Sequence, residues 1–99
     1  MPNARITDPE TSHEAAKSVS KLRYMYDTMI IAFETLGPMN DEQLIKLWRV
    51  GVNELGWRSA SESGIRSRRS ELVAQGKLKD SGKRQKMQSG RLSIVWEIA

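Results

Sequence analysis

From Leu22 onward, Leu22, Met25, Tyr26, Met29, Ile30, Phe33 and Leu36 recur at steps of three and four. That is the period of one helical stripe turned toward a core. The stripe predicts a helix that stops at Gly37-Pro38, glycine taking the left-handed cap and proline preventing continuation. Upstream, Asp8-Pro9, or Thr11 with Glu14, offers a start for a separate short helix over Glu10 to Ser20. Its apolar content is only Ala15, Ala16 and Val19, so it must pack on something else to hold. Met1 to Thr7 is polar and expected to be loose. Past the proline, Asn40 and Gln43 form a capping-box pattern, and Asp41 and Glu42 sit at the positive end of the helix they open. Leu44, Leu47, Trp48 and Val52 supply its buried face, with Leu55 as a further candidate.

Asn53 to Ala60 reads as a connection in which Trp57 is a hydrophobic plug rather than a ligand platform. Ser59 with Glu62, or Ser61 alone, caps a third helix that runs to Gln75 and ends at Gly76. Turning about 100° per residue puts Arg69, Leu72 and Val73 on the same side as Ile65. Ser63, Ser67, Ser70 and Ala74 face outward, with Arg66 at their edge. Beyond Gly76 the period changes to two. Lys77 to Asp80 reads as a short strand, and Leu92, Ile94, Trp96 and Ile98 alternate with Ser93, Val95 and Glu97 in a longer one. Ser81-Gly82 and Ser89-Gly90 are turn signals. The stretch Lys83 to Gln88 between them has Met87 as its one apolar residue and is expected to form an exposed, positively charged hairpin tip.

A chain of 99 residues with 38% hydrophobic content buries one modest core, enough for one domain and too little for an inter-domain cleft. Its net charge of +4 is unevenly spread. Residues 1–56 carry six basic and eight acidic side chains, and residues 57–99 carry ten basic and four acidic, so the whole positive excess lies in the second half. Such polarity points to an anionic partner for one face. With no cysteine there are no disulfides or thiolate metal sites, and the single His13 has no partner at metal-ligand spacing. His13 is expected to be an ordinary surface histidine. The longest apolar run, Met29 to Phe33, is five residues, where a membrane span needs about 20. No stretch of MPNARITDPE resembles a signal peptide. A cytoplasmic, nucleoid-associated protein without membrane contact is the expectation. No catalytic signature is present, so neither an enzyme nor a metal or other cofactor is expected.

Helix, helix, capped third helix and basic hairpin, in that order, resemble a winged helix-turn-helix. The likeness runs from about Leu22 to the C-terminus, with an N-terminal arm and short helix over residues 1–21 and the winged-helix unit over 22–99. Its most specific part is Ser63-Gly64-Ile65-Arg66-Ser67-Arg68-Arg69-Ser70-Glu71-Leu72-Val73-Ala74-Gln75-Gly76-Lys77-Leu78, which is similar to the recognition helix and first wing strand of MarR-like transcription factors. Size and style also resemble small DNA-binding proteins of bacteriophages and prophages. The fold implied is α+β, mainly α: a three-helix core with an N-terminal helix and a C-terminal β-hairpin wing. Arg69 stands where that pattern usually has an aliphatic residue, so its stem is expected to cover the core while its head escapes to the surface. The connection before the third helix is longer than a tight helix-turn-helix turn.

The resemblance implies a sequence-specific double-stranded DNA-binding protein, most simply a transcriptional regulator. The third helix would enter the major groove, with Ser63, Ser67 and Ser70 allowing close approach and Arg66 reading a guanine. Arg58 and Arg68 cluster around the same helix. Lys83, Arg84, Lys86 and Arg91 would hold phosphates or reach the minor groove. Arg66 could instead pair with Glu62 on a solvated face, and a cationic hairpin could be mere edge protection. Other readings are a phage replication or recombination factor, and an interaction module docking an acidic protein. The short first helix could cap the core or pair two copies into a homodimer.

Overall fold

The computed structural model describes residues 9–99, with side chains from Ser20 onward. Three helices, α1 (Pro9–Leu36), α2 (Asp41–Glu54) and α3 (Glu62–Ala74), precede an antiparallel hairpin of β1 (Leu78–Lys86) and β2 (Leu92–Ile98). The fold is α+β. The expected cap at Asp8 and the loose segment Met1 to Thr7 lie outside the described residues, as do the side chains of Thr11, His13 and Glu14; α1 is already helical at Pro9, ahead of the alternative start at Thr11.

The two helices expected in the N-terminal third are one. α1 crosses the boundary between residues 21 and 22 without a break. No glycine or proline stands between Pro9 and Gly37, so nothing interrupts the hydrogen-bond ladder. A thin apolar stripe weakens packing and leaves helix continuity untouched.

The core is one cluster. α1 contributes Met25, Met29, Ala32 and Phe33, α2 Leu44, Ile45 and Trp48, and α3 Ile65 and Leu72, with Met39 and Leu78 closing it. Leu36, expected in the α1 stripe, is instead 60% exposed. The chain turns at Gly37, whose φ of 86° only glycine adopts cheaply, and Met39 enters the core in place of Leu36. Leu55 is exposed as well, because α2 ends at Glu54 and the returning loop covers the helix with Trp57.

Local capping follows the chemistry of the residues. Asn40 accepts from the Gln43 amide at 2.8 Å, and the Gln43 side chain accepts from the Asn40 amide at 3.0 Å. Asn40 is buried and uses its remaining donor as well, giving a 2.8 Å bond to Ser93 Oγ on β2. Next to it, Met39 and Trp96 exchange two backbone hydrogen bonds of 3.0 and 2.8 Å. The root of the hairpin is therefore fastened to the start of α2. Ser61, rather than Ser59, caps α3, its hydroxyl accepting from the Gly64 amide at 3.0 Å.

The loop before α3 is longer than a tight turn yet firmly held. Trp48 donates its indole N–H to the Arg58 carbonyl at 3.0 Å, and the Arg58 amide donates to the Tyr24 hydroxyl at 3.2 Å. Trp57 packs edge-on against Trp48, with ring centroids 5.2 Å apart. It sits directly over Gly51 in the middle of α2. The expectation that Trp57 plugs a hydrophobic surface holds.

The hairpin departs from its sequence reading in three respects. β1 continues to Lys86, so Lys83, Arg84 and Lys86 belong to the strand, and the tip is Met87 to Arg91. Ser81-Gly82 is a bulge and not a turn: between the pairs Asp80↔Trp96 and Arg84↔Ile94, four residue steps on β1 face two on β2. Gly82 supplies the left-handed φ of 86° there, and its amide donates to Asp80 Oδ1 at 2.8 Å. The simple alternation expected for β2 also shifts. Leu92 is exposed and Val95 buried, because the bulged hairpin twists as it leaves the body. Among the described residues, no helix is long and apolar enough to cross a membrane.

Candidate nucleic-acid interface

α3 turns Ile65 and Leu72 into the core and leaves Ser63, Arg66, Ser67, Ser70 and Ala74 exposed. That is the face the helical rotation predicts. The three serines form a row of small hydroxyls along the helix, open to a close approach. Near the N-terminal end of α3, a groove of about 260 Å³ runs between Glu62 and Arg66 of α3, the charged residues Asp41, Glu42, Lys46 and Arg49 of α2, and the hairpin tip at Met87 and Gln88, so that both carboxylates and cations line it. The exposed start of α3 and the end of the hairpin thus border one space.

The arginines differ sharply in how they are held. Arg66 is half exposed and makes one 3.4 Å contact with Glu62, four residues before it. Glu62 also pairs with Arg49 of α2. Exposed pairs of this kind contribute about 0.3–0.5 kcal/mol, so Arg66 is easily released. Arg58 lies with its guanidinium 5.0 Å from the centre of the Tyr24 ring and has no carboxylate partner among the described residues.

Arg68 is committed to the body. Its Nε and Nη2 donate to the two oxygens of Glu71 at 2.7 and 2.8 Å, and Tyr26 of α1 donates its hydroxyl to the same carboxylate. This triad clasps α3 to α1. The hydrogen bonds from Arg68 first and Tyr26 second hold the Glu71 carboxyl below its ordinary range, and bonding to Glu71 raises the Tyr26 phenol. The linkage has a definite sign. A depressed carboxyl stabilises the fold above its unfolded pKa and loses that contribution as pH falls through the folded one, whereas a raised phenol loses its contribution as pH climbs past the ordinary value of 10.0. Unfolding experiments from pH 3 to 11 should therefore show stability declining at both ends. Glu71→Gln should make the acid decline shallower; an unchanged profile would mean the triad does not form in solution.

Arg69 overturns the expectation that its head escapes to the surface. Its side chain is 14% exposed. Nε and Nη2 donate to the two oxygens of Asp41 at 2.8 Å each, and the guanidinium lies 4.1 Å from the centre of the Trp96 ring. One arginine so joins α3 to the first turn of α2 and to β2. An inward arginine on a helix with little aliphatic surface implies a facing carboxylate, and Asp41, next to the Asn40 cap, is the carboxylate that the sequence reading treated only as a helix-end charge.

On the hairpin, Arg84 is bound back to Asp80 through two contacts of 3.0 and 3.1 Å across the bulge. That pairing, and the Gly82 amide after it, lower the Asp80 carboxyl. Lys79 lies 3.7 Å from Glu97. Lys83, Lys86 and Arg91 are exposed and have no ion-pair partner among the described residues. Of the ten candidate interface residues all but Arg68 are exposed, and two, the half-buried Arg68 and the exposed Arg84, are held in bidentate pairs. Among the described residues there is no cluster of three or more groups able to hold a metal ion. No protein-family model, curated protein or solved structure matches this chain.

Proposed function

We propose that this protein is a winged helix-turn-helix that binds double-stranded DNA with sequence preference, most simply as a transcriptional regulator. In this reading α3 enters the major groove and the hairpin is the wing, lying on the phosphates or in the adjacent minor groove. The observation that carries it is the exposed face of α3, three serines in a row with a loosely held Arg66 at its edge, Arg66 in turn bordering the groove that the hairpin tip lines. Small side chains let a helix backbone sit close to base edges, and hydroxyls both donate and accept. Magnitudes favour Arg66 as the base reader. Leaving Glu62 forfeits about 0.3–0.5 kcal/mol, while a bidentate contact to a guanine gains about 1–3 kcal/mol of discrimination.

The test is titration of the protein with duplexes selected from a randomised library, set against random duplexes, at several salt concentrations. If about four to six phosphates are neutralised, the log–log salt slope is roughly −4 to −5. Arg66→Ala is expected to weaken the selected duplex more than the random one, and Lys83→Ala to weaken both alike. Equal losses would mean that α3 does not read bases. Absence of duplex binding at low salt would remove DNA from the account and leave the basic surface to an acidic protein partner.

A further inference from the structure

We propose that two copies of this protein pair antiparallel along the second half of α1, over a groove that none of the ten candidate interface residues lines. The groove, of about 560 Å³, is bounded by Asp27, Ile30 and Ile31 of α1, Lys77 ahead of β1, and Ile98 of β2. Ile31 is 59% exposed and Ile98 37%. At about 100° per residue, Arg23, Asp27, Ile30 and Glu34 fall within an arc of about 60°. That arc is turned well away from Met25, Met29 and Phe33, the residues that α1 buries. The four therefore form one outward stripe, in which Ile30 is half-buried and the three charged residues are exposed, with Ile31 along its side. Arg23, Asp27, Glu34 and Lys77 enter no ion pair among the described residues.

The order of charges along the stripe selects a second copy as the occupant. Arg23 and Glu34 share a midpoint with Asp27 and Ile30, between Thr28 and Met29. A two-fold axis at that point sets Arg23 against the partner's Glu34, and Glu34 against the partner's Arg23. It also lays Asp27 over the partner's groove, beside the partner's Ile30 and the partner's Lys77. Opposite charges then meet on both sides of the axis while the isoleucines close the centre. A parallel pair would instead set arginine on arginine and glutamate on glutamate, which is costly. A partner of one charge sign fits no better, because the groove carries both an acid and a base and would repel it at one of them. Burial of Ile30, Ile31 and Ile98 from each copy drives the association, and the charges fix its direction.

Sedimentation equilibrium from micromolar to near-millimolar protein tests this without nucleic acid, with circular dichroism confirming that each variant stays folded. The intact protein is expected to dimerise, and Ile31→Glu to weaken dimerisation roughly a hundredfold, a tenfold factor for each of the two copies of the side chain. Arg23→Glu and Glu34→Arg each set like charges together twice, and each is expected to weaken pairing about tenfold. Combined in one chain, Arg23→Glu/Glu34→Arg restores both contacts and should restore the dimer. Mixing the two single variants should likewise yield a heterodimer, since each supplies the charges that the other lacks. A protein that is monomeric at every concentration overturns the proposal, as does a dimer indifferent to Ile31→Glu, which would place the contact elsewhere. Loss of the dimer in both charge variants without recovery in the double variant overturns the antiparallel register.

Discussion

Gly51→Ala is expected to destabilise the protein by about 2 kcal/mol, although alanine is the better helix former by about 1 kcal/mol in a helix interior. A Cβ at position 51 would lie well inside van der Waals contact with the Trp57 ring. The ring cannot simply slide aside, because the Trp57 amide donates to the Gly51 carbonyl at 3.0 Å and the indole packs edge-on with Trp48. Overpacking of this kind typically costs about 1–3 kcal/mol, and a lost aromatic pair about 0.5–1.5 kcal/mol more. These terms exceed the gain in propensity. The decisive measurement is the double variant. In a Trp57→Ala background the obstruction is gone, so the added Gly51→Ala should raise the urea midpoint, reversing its sign. If Gly51→Ala is stabilising in both backgrounds, the tryptophan does not rest on α2. The same contact positions the loop that carries Arg58 and the Ser61 cap, so the single variant should also loosen the start of α3.

Asp41→Ala is expected to lower the unfolding free energy by about 2 kcal/mol, from hydrogen bonds to a charged group at about 1.5–3 kcal/mol and a favourable helix-end charge at about 0.3–1 kcal/mol, reduced by residual solvent. The Asp41 side chain is 22% exposed and that of Arg69 14%. What makes the change severe is the group left behind, a guanidinium against Trp96 with no carboxylate. Arg69→Met tests that logic. It removes the charge together with the need for a partner and lays an apolar chain on the same ring, so it should cost less than Asp41→Ala. Chemical denaturation of the two variants gives the order directly. If Asp41→Ala lies within about 0.5 kcal/mol of the parent, the pair is a surface contact of ordinary weakness.

Features governed by neighbouring residues were legible from the chain. The stripe from Leu22 to Phe33, the reciprocal cap of Asn40 and Gln43, and the serine row on α3 all depend on side chains within a few positions of one another. Features that depend on distant residues were not. Arg69 and Asp41 are 28 positions apart, and Tyr26 and Glu71 are 45 apart. No local rule decides whether an arginine beside a core points outward or finds an acid on a facing helix. The hairpin illustrates a second difficulty. Ser-Gly is the same signal whether a chain reverses or bulges, and only the pairing partner across the ladder distinguishes the two. Because β1 ran on through the bulge, four residues expected at a loop tip, Lys83 to Lys86, became strand residues.

That bulge also makes the hairpin adjustable in length without changing which way its side chains point. Its surplus is two residues, a whole period of the pleat, so the ladder on the far side resumes in phase: Arg84 opposes Ile94 just as Asp80 opposes Trp96. Losing or gaining a residue pair here would swing the outer half of the hairpin relative to α3 and leave its cationic and packed faces unexchanged. A single-residue change would invert them. The reach of the hairpin can therefore change at residues 81–83 in steps of two while its two faces, and the three helices beneath, stay as they are.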